Sequence, residues 1–600
     1  MFLPRFGQRA TRSLTRALRA VSIVTAVTIA SAAVQTQATG GSWSMGASTA
    51  SAQAVPTPGV TPSPPLRTGQ APIHVGPILQ THVSHGPYPV NPQSETARRA
   101  AADAIVAGRT SLSARTPVDP TAQLSPGTPK APVTHASTGP STVRTATPLA
   151  AALFGAPIAE AAATDLQVFR STSLQGVPPS GVGLSTSFEP SVSNHGNTVF
   201  YTGNYFAAPS ADGGSTFTYV NPGQALPPGP SGQPWCCDQV TIYDPNYNLL
   251  IWEVEYQRDA AGNNVQRLAI PIDQSNLATT GWSYWDISAQ TLGFASGYWL
   301  DYPKLALSAN NLFMTTNVCL TGGGCNNTVM IGIPLSSLAQ RAPNVYWYTD
   351  SGIGFGPTSG VQTQMSKMYF ARHLNTTTLR IYTWTEGSGV ITWADVGHSA
   401  YNPPPSKCPS PDATSGNPHN MCGNDNDWIK GGWVENGKVG FFWDANNGTA
   451  GLGTFNYPYI HAVEVNQTDM SLNTQPIIYS DSNAWAWGSV AVSNLGGLGM
   501  SAQWSAPSYA PSSNVLLRDD VTANNCGILC WQAGYVQNGS NGPANNAWGD
   551  YLTVRVASGS SNTWVGTSYT LQCSPPSDPC TVVEPRFIWF GRQRDLTPTP

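Results

Sequence analysis

The feature that most constrains this chain is a phrase that recurs seven times. It reads as an acidic or polar residue, a short apolar strand, a polar turn and a second apolar strand. The copies start at Glu189, Asp238, Asp301, near Gln364, and at Asp427, Trp487 and Asp550. Asp238-Gln239-Val240-Thr241-Ile242, for example, leads to Leu249-Leu250-Ile251-Trp252. Successive starts lie 49, 63, 63, 63, 60 and 63 residues apart. A period of about 61 residues accommodates four short strands and their loops, which is one propeller blade. A sandwich needs no period, and a parallel β-helix has much shorter coils. The expectation is an all-β, seven-bladed propeller over residues 165–595. The fourth and sixth copies are degenerate, which leaves six or eight blades open.

Composition sets the limits of that domain. Charged residues are 10% of the chain, against 58 Gly and 51 Pro, so long amphipathic helices are excluded. Nineteen Trp argue equally against a chain disordered throughout. The formal net charge of −4 gives no reason to expect a nucleic-acid partner. Residues 1–165 carry 12 Lys+Arg against 5 Asp+Glu, and the remainder carries 16 against 27. In residues 1–38, Arg5, Arg9, Arg12, Arg16 and Arg19 precede an apolar run to about Ala33, which reads as a secretory signal. That run is too short for a membrane span. Residues 39–164, rich in Pro, Ala and Thr, are expected to be a disordered tail or pro-segment, with short helices at 95–108 and 147–163. The protein is expected to be secreted or held at the cell surface, and monomeric.

Export makes disulfides the natural state of ten cysteines. In chain order they form five local pairs: Cys236–Cys237, Cys319–Cys325, Cys408–Cys422, Cys526–Cys530 and Cys573–Cys580. Zinc is disfavoured because the spacings match no common module. The vicinal pair directly precedes Asp238.

Between strands of the first copy lies Ser210-Ala211-Asp212-Gly213-Gly214-Ser215-Thr216-Phe217. This resembles the Asp-box of sialidases and related BNR-repeat propellers. The resemblance implies a structural role for Ser210, Asp212, Gly214, Thr216 and Phe217, closing a hairpin and packing an aromatic between blades. The Phe-Arg-Ile-Pro segment of sialidases has no counterpart here, so sialidase activity itself is not expected. The segment Glu584–Arg592 is expected to close the ring against residues near Val168-Phe169.

If the copies are blades, Glu189, Asp238, Asp301, Asp427 and Asp550 converge at one end of the central funnel and are the candidate catalytic residues. Trp235, Trp299, Tyr302, Lys304, Trp428 and Trp548 accompany them as candidate substrate contacts. Carboxylates beside indole faces suit sugars, whose hydroxyls bond acids and whose rings stack on aromatics. The leading expectation is a glycoside hydrolase with Asp/Glu acid–base chemistry. One alternative is a non-catalytic glycan-binding propeller. Another is a polysaccharide lyase acting on a uronate polymer, with Tyr302, Lys304, His373, His398 or His419 as base. The loop Gly423–Asp427 could hold calcium, although it lacks the EF-hand spacing.

Overall fold

The structure is a computed structural model that describes residues 65–89, 166–180, 182, 184–359, 365–414, 416–522, 531–560, 562–573 and 580–596. The expected signal segment, both expected tail helices, Gln364 and the Cys526–Cys530 pair lie outside these residues. Strands dominate, and helix among the described residues is confined to short pieces such as Pro222–Ala225 and Leu335–Ala339.

Each recurrence of the phrase except the fourth supplies the first two strands of one antiparallel sheet. Sheet 1 runs Ser191–His195, Thr198–Gly203 and Phe206–Ser210, with Val220 bridged to Ala207. The first strands of sheets 2 to 7 are Trp235–Asp244, Tyr298–Leu307, Gly356–Ser359, Gly431–Glu435, Ala484–Val492 and Val554–Val556. Sheets 4 and 5 are joined by a parallel pairing of Thr358 and Ser359 with Gly432 and Trp433. The fourth copy is the one the sequence mis-registers: its first strand is Gly356–Ser359, ahead of Gln364, and Lys367–Asn375 is the second. Hairpin chemistry is local. In sheet 5, Asn436 (φ 49°) and Gly437 (φ 73°) supply the two left-handed residues of a tight turn.

Apolar clusters fill the spaces between consecutive sheets: 1 with 2, 2 with 3, and so on to 6 with 7, and finally 7 with 1. The first strands likewise touch their neighbours in order, and the strand of sheet 7 touches that of sheet 1. The sheets therefore stand around an axis as a β-propeller. A strand in such a ring is covered on both faces, so strict alternation disappears. Leu249–Tyr256 (LLIWEVEY) is buried along its whole length.

The ring closes as the sequence suggests. The strand Leu166–Ser173 completes sheet 7 by pairing with Val583–Arg592, Val168 opposite Phe590. Three more strands come from the stretch expected to be tail, and this corrects that expectation for residues 65–89. We number them β1 (Arg67–Pro72), β2 (His74–Ile78) and β3 (His82–Ser84). They add as outermost antiparallel strands to sheets 4, 3 and 2. Low apolar content does not prevent this, because an exposed sheet edge offers backbone hydrogen bonds to any extended chain. Gly69 lies across Trp393 and Gly76 across Trp347, where a Cβ would come within 2.3 and 2.5 Å of the rings. His74 stacks on Trp347 at 5.4 Å and His82 on Tyr284 at 5.2 Å.

Four local disulfides form as expected: Cys236–Cys237, Cys319–Cys325, Cys408–Cys422 and Cys573–Cys580. The Asp212 carboxylate accepts from the backbone N–H groups of Ser215 and Thr216, both at 2.9 Å, and from the Thr216 hydroxyl at 2.7 Å. The Ser210 hydroxyl accepts from the Gly214 N–H at 2.9 Å. Phe217 packs edge-on against Phe587 of sheet 7 at 5.7 Å, so the box joins first and last sheets.

Candidate functional site

Strand register explains where the acids point. In sheets 2, 3 and 6 the pairing of first with second strand slips at the same place, at Trp235–Gln239, Asp301–Lys304 and Ala486–Ser489. Tyr302 (φ 61°) and Trp487 (φ 58°) take left-handed backbone there. Bulges and strain of this kind re-aim side chains and gather at functional sites.

Two of the five expected carboxylates meet directly. Asp238 and Asp301, with Glu255 from the second strand of sheet 2, bring oxygens within 4.8 Å of one another, all three buried. Disulfide sulfurs flank this trio: Cys236 and Cys237 beside Glu255, Cys319 and Cys325 beside Asp301. Glu189 is clamped by Asn204, whose Nδ2 donates to Oε2 at 2.7 Å, and it also accepts from the Asp550 N–H at 3.4 Å. Asp427 is held elsewhere, accepting from the Tyr401 hydroxyl at 2.6 Å.

Glu255 was missed by the sequence reading, although two acids in one apolar strand, Glu253 and Glu255, were a usable signal. Burial first, and the Asp238 charge second, push the Glu253 carboxyl well above its usual range. Lys430 was also missed. Its Nζ donates to Asp425 at 2.8 Å, lies 3.9 Å from Asp444, and sits 4.2 Å over the Trp487 ring. The loop Gly423–Asp427 is held by contacts within the protein. An ammonium already serves Asp425, Asn424 is bonded to the Trp548 backbone in both directions, and the Asn426 oxygen accepts from the Trp428 N–H.

The aromatic candidates divide. Tyr302 donates to the Asp550 carbonyl at 3.0 Å and meets Trp428 edge-on at 4.9 Å and Tyr551 at 6.0 Å, forming a collar beside the acids. Trp299 packs on the Cys319–Cys325 bridge under the Arg258 guanidinium, 4.7 Å from its ring. Trp235 and Trp548, expected as stacking surfaces, are packing rings instead. Trp235 belongs to the apolar layer between sheets 1 and 2, and Trp548 stacks on Tyr569 at 4.4 Å, fully enclosed.

Lys304 donates to the Ile429 carbonyl and lies 5.0 Å from the Tyr302 ring. Burial, then the nearby Lys430 charge, lower its amine to about 7, with Asp550 acting the other way. His373, His398 and His461, by contrast, surround Trp443 between sheets 4 and 5. Burial holds His398 down at about 4 and His461 at about 3, and keeps His373 well below its ordinary value. His419 pairs with Asp412 at 2.7 Å.

No family model matches the chain, and no curated protein matches it significantly. Among solved structures it is similar to an α-L-arabinanase of Penicillium chrysogenum complexed with arabinobiose, at 10% identity over 72% of this chain and 100% of that one, TM-score 0.34. It is also similar to the GH93 α-L-arabinofuranosidase of Fusarium graminearum, at 7% identity over 71% and 98%, TM-score 0.36. A polysaccharide lyase shares 10% identity over 67% of this chain and 89% of its own, TM-score 0.27.

Proposed function

We propose that this protein is an exported, monomeric carbohydrate-processing propeller of seven blades, and that its funnel hydrolyses a glycosidic bond with Asp238 and Asp301 as the working carboxylates. The Asp-box geometry supports a sialidase-like branch, and the local disulfides support an oxidising, extracellular setting. One observation carries the catalytic reading: Asp238 and Asp301 on adjacent first strands, with Glu255 on the second strand of sheet 2, place oxygens within 4.8 Å of one another. Close carboxylates of this kind fit the acid-plus-nucleophile pair of retaining hydrolysis, whereas inversion leaves a wider gap for water. Tyr302, Trp428 and Tyr551 supply an aromatic wall, and Glu189 and Asp550 a second acidic side.

A lyase is the second reading, favoured by Lys304, an amine held near 7 beside Tyr302. One assay separates them. The full-length chain is incubated with polysaccharides and aryl glycosides while reducing ends and unsaturated uronates are both followed. Reducing ends alone, lost in Asp238→Asn and Asp301→Asn, are expected. Ultraviolet absorbance from unsaturated uronates, lost in Lys304→Met, would move the assignment to a lyase. Silence across the panel with glycan binding retained would leave a binding module.

A further inference from the structure

Within the ring, a cavity of about 100 Å³ is walled by the first strands of sheets 2 to 7. One water needs only about 15 Å³ of such space, so there is room for a small ion. Three charged side chains line it, Lys304, Lys430 and Arg555, and no described aspartate or glutamate does. The rest of the wall is largely aliphatic, including Val240, Ile242 and Val492.

The three cations are not equivalent. Lys430 is matched by Asp425 and Asp444. Lys304 has the Ile429 carbonyl as its hydrogen-bond acceptor. Arg555 has two long contacts to carbonyls, Nη1 to Val554 at 3.5 Å and Nη2 to Thr241 at 3.3 Å, while its Nε has no acceptor among the described residues. Burial lowers it to about 10, and no carboxylate offsets that effect. It therefore stays charged at neutral pH. A half-buried guanidinium facing a cavity without a counter-charge is costly, and a guanidinium cannot escape the cost by losing its proton. Apolar walls strengthen its field in the cavity.

We propose that the centre of the ring binds one small inorganic anion, of chloride or sulfate size, between the Arg555 guanidinium and the Lys304 ammonium. The site needs no substrate and stands whether or not the funnel is catalytic. Its contribution is to neutralise the axis and tie sheet 7 to sheet 3.

The test is scanning calorimetry of the full-length chain at constant ionic strength, with gluconate, a bulky and weakly associating anion, replaced stepwise by chloride, sulfate or phosphate. A saturable rise in Tm of about 3 °C is expected for at least one of the small ions. Arg555→Met should abolish the rise and melt no lower than the parent in gluconate. If that variant does not fold, Lys304→Met is read instead and should shift half-saturation at least about tenfold. A parent protein indifferent to all three ions, or a rise that survives in Arg555→Met, or unchanged half-saturation in Lys304→Met when that variant is the one read, would overturn the proposal.

Discussion

The interface between sheets 2 and 3 and that between sheets 4 and 5 place titratable groups at comparable depth and treat them oppositely. The first buries Asp238, Glu253, Glu255 and Asp301. The second wraps His373, His398 and His461 around Trp443, whose ring lies 4.5 Å from His373 and 4.6 Å from His461. Desolvation disfavours charge in both places, raising the Glu253 carboxyl and lowering the imidazoles. A lowered imidazole is neutral at pH 7 and becomes one more ring in the packing. The acids instead bring the oxygens of Asp238, Glu255 and Asp301 within 4.8 Å of one another. A buried titratable group is therefore not in itself a site; its resting charge and its neighbours decide.

The largest effect that would sharpen this contrast is on activity. Asp238→Asn and Asp301→Asn should each lower kcat/KM by about 10³-fold with little change in Tm, measured on whichever substrate the panel identifies. Comparable losses in His461→Phe would break the comparison.

Next comes acid stability. The unfolded chain protonates its histidines near pH 6.5, whereas folded His398 and His461 resist until about 4 and about 3. The unfolded state thus binds more protons in that window, and stability falls as pH drops below 6.5. His398 accounts for about 3 kcal/mol by pH 4, and His461 for about 4 kcal/mol by pH 3. Urea unfolding of His461→Phe across this range should show a shallower decline, and an unchanged slope would refute the neutral-pocket account.

Glu253 should behave with the opposite sign. Its carboxyl is raised, so the folded state binds more protons above the ordinary glutamate range, and stability falls as pH rises through it. Glu253→Gln should stabilise the protein at pH 7 by about 2 kcal/mol, read from the same urea curves. Destabilisation would mean that this acid is charged and matched. The smallest effect belongs to the Asp-box. Asp212→Ala removes hydrogen bonds that lie at the surface, where solvent screens them, and should cost about 1 kcal/mol or less in Tm-derived stability without changing activity.

What could be read from the sequence was local or periodic. The repeat located the first strands at Asp238 and Asp301, Asp212 and its neighbours announced their turn, and the closing segment Glu584–Arg592 was recognised by its alternation. The failures share a cause. Strands β1 to β3 are held largely by backbone hydrogen bonds to exposed edges, which leave little side-chain signature. The fourth copy slipped because its short first strand, Gly356–Ser359, carries too little apolar sequence to show a period. Trp235 and Trp548 were assigned to the sugar because nearness to an acid in sequence does not tell which face of a sheet a ring occupies.

By itself, then, the sequence determined the period, the turns and the nearest-neighbour disulfides, since each depends on residues a short distance apart along the chain. Only the tertiary structure decided that Glu255 joins Asp238 and Asp301, that Asp427 is taken by Tyr401, and that Arg555 faces a cavity without an acid. Those outcomes depend on bulges that shift register by one or two residues and on closure of the ring, which sets the first strands around one axis.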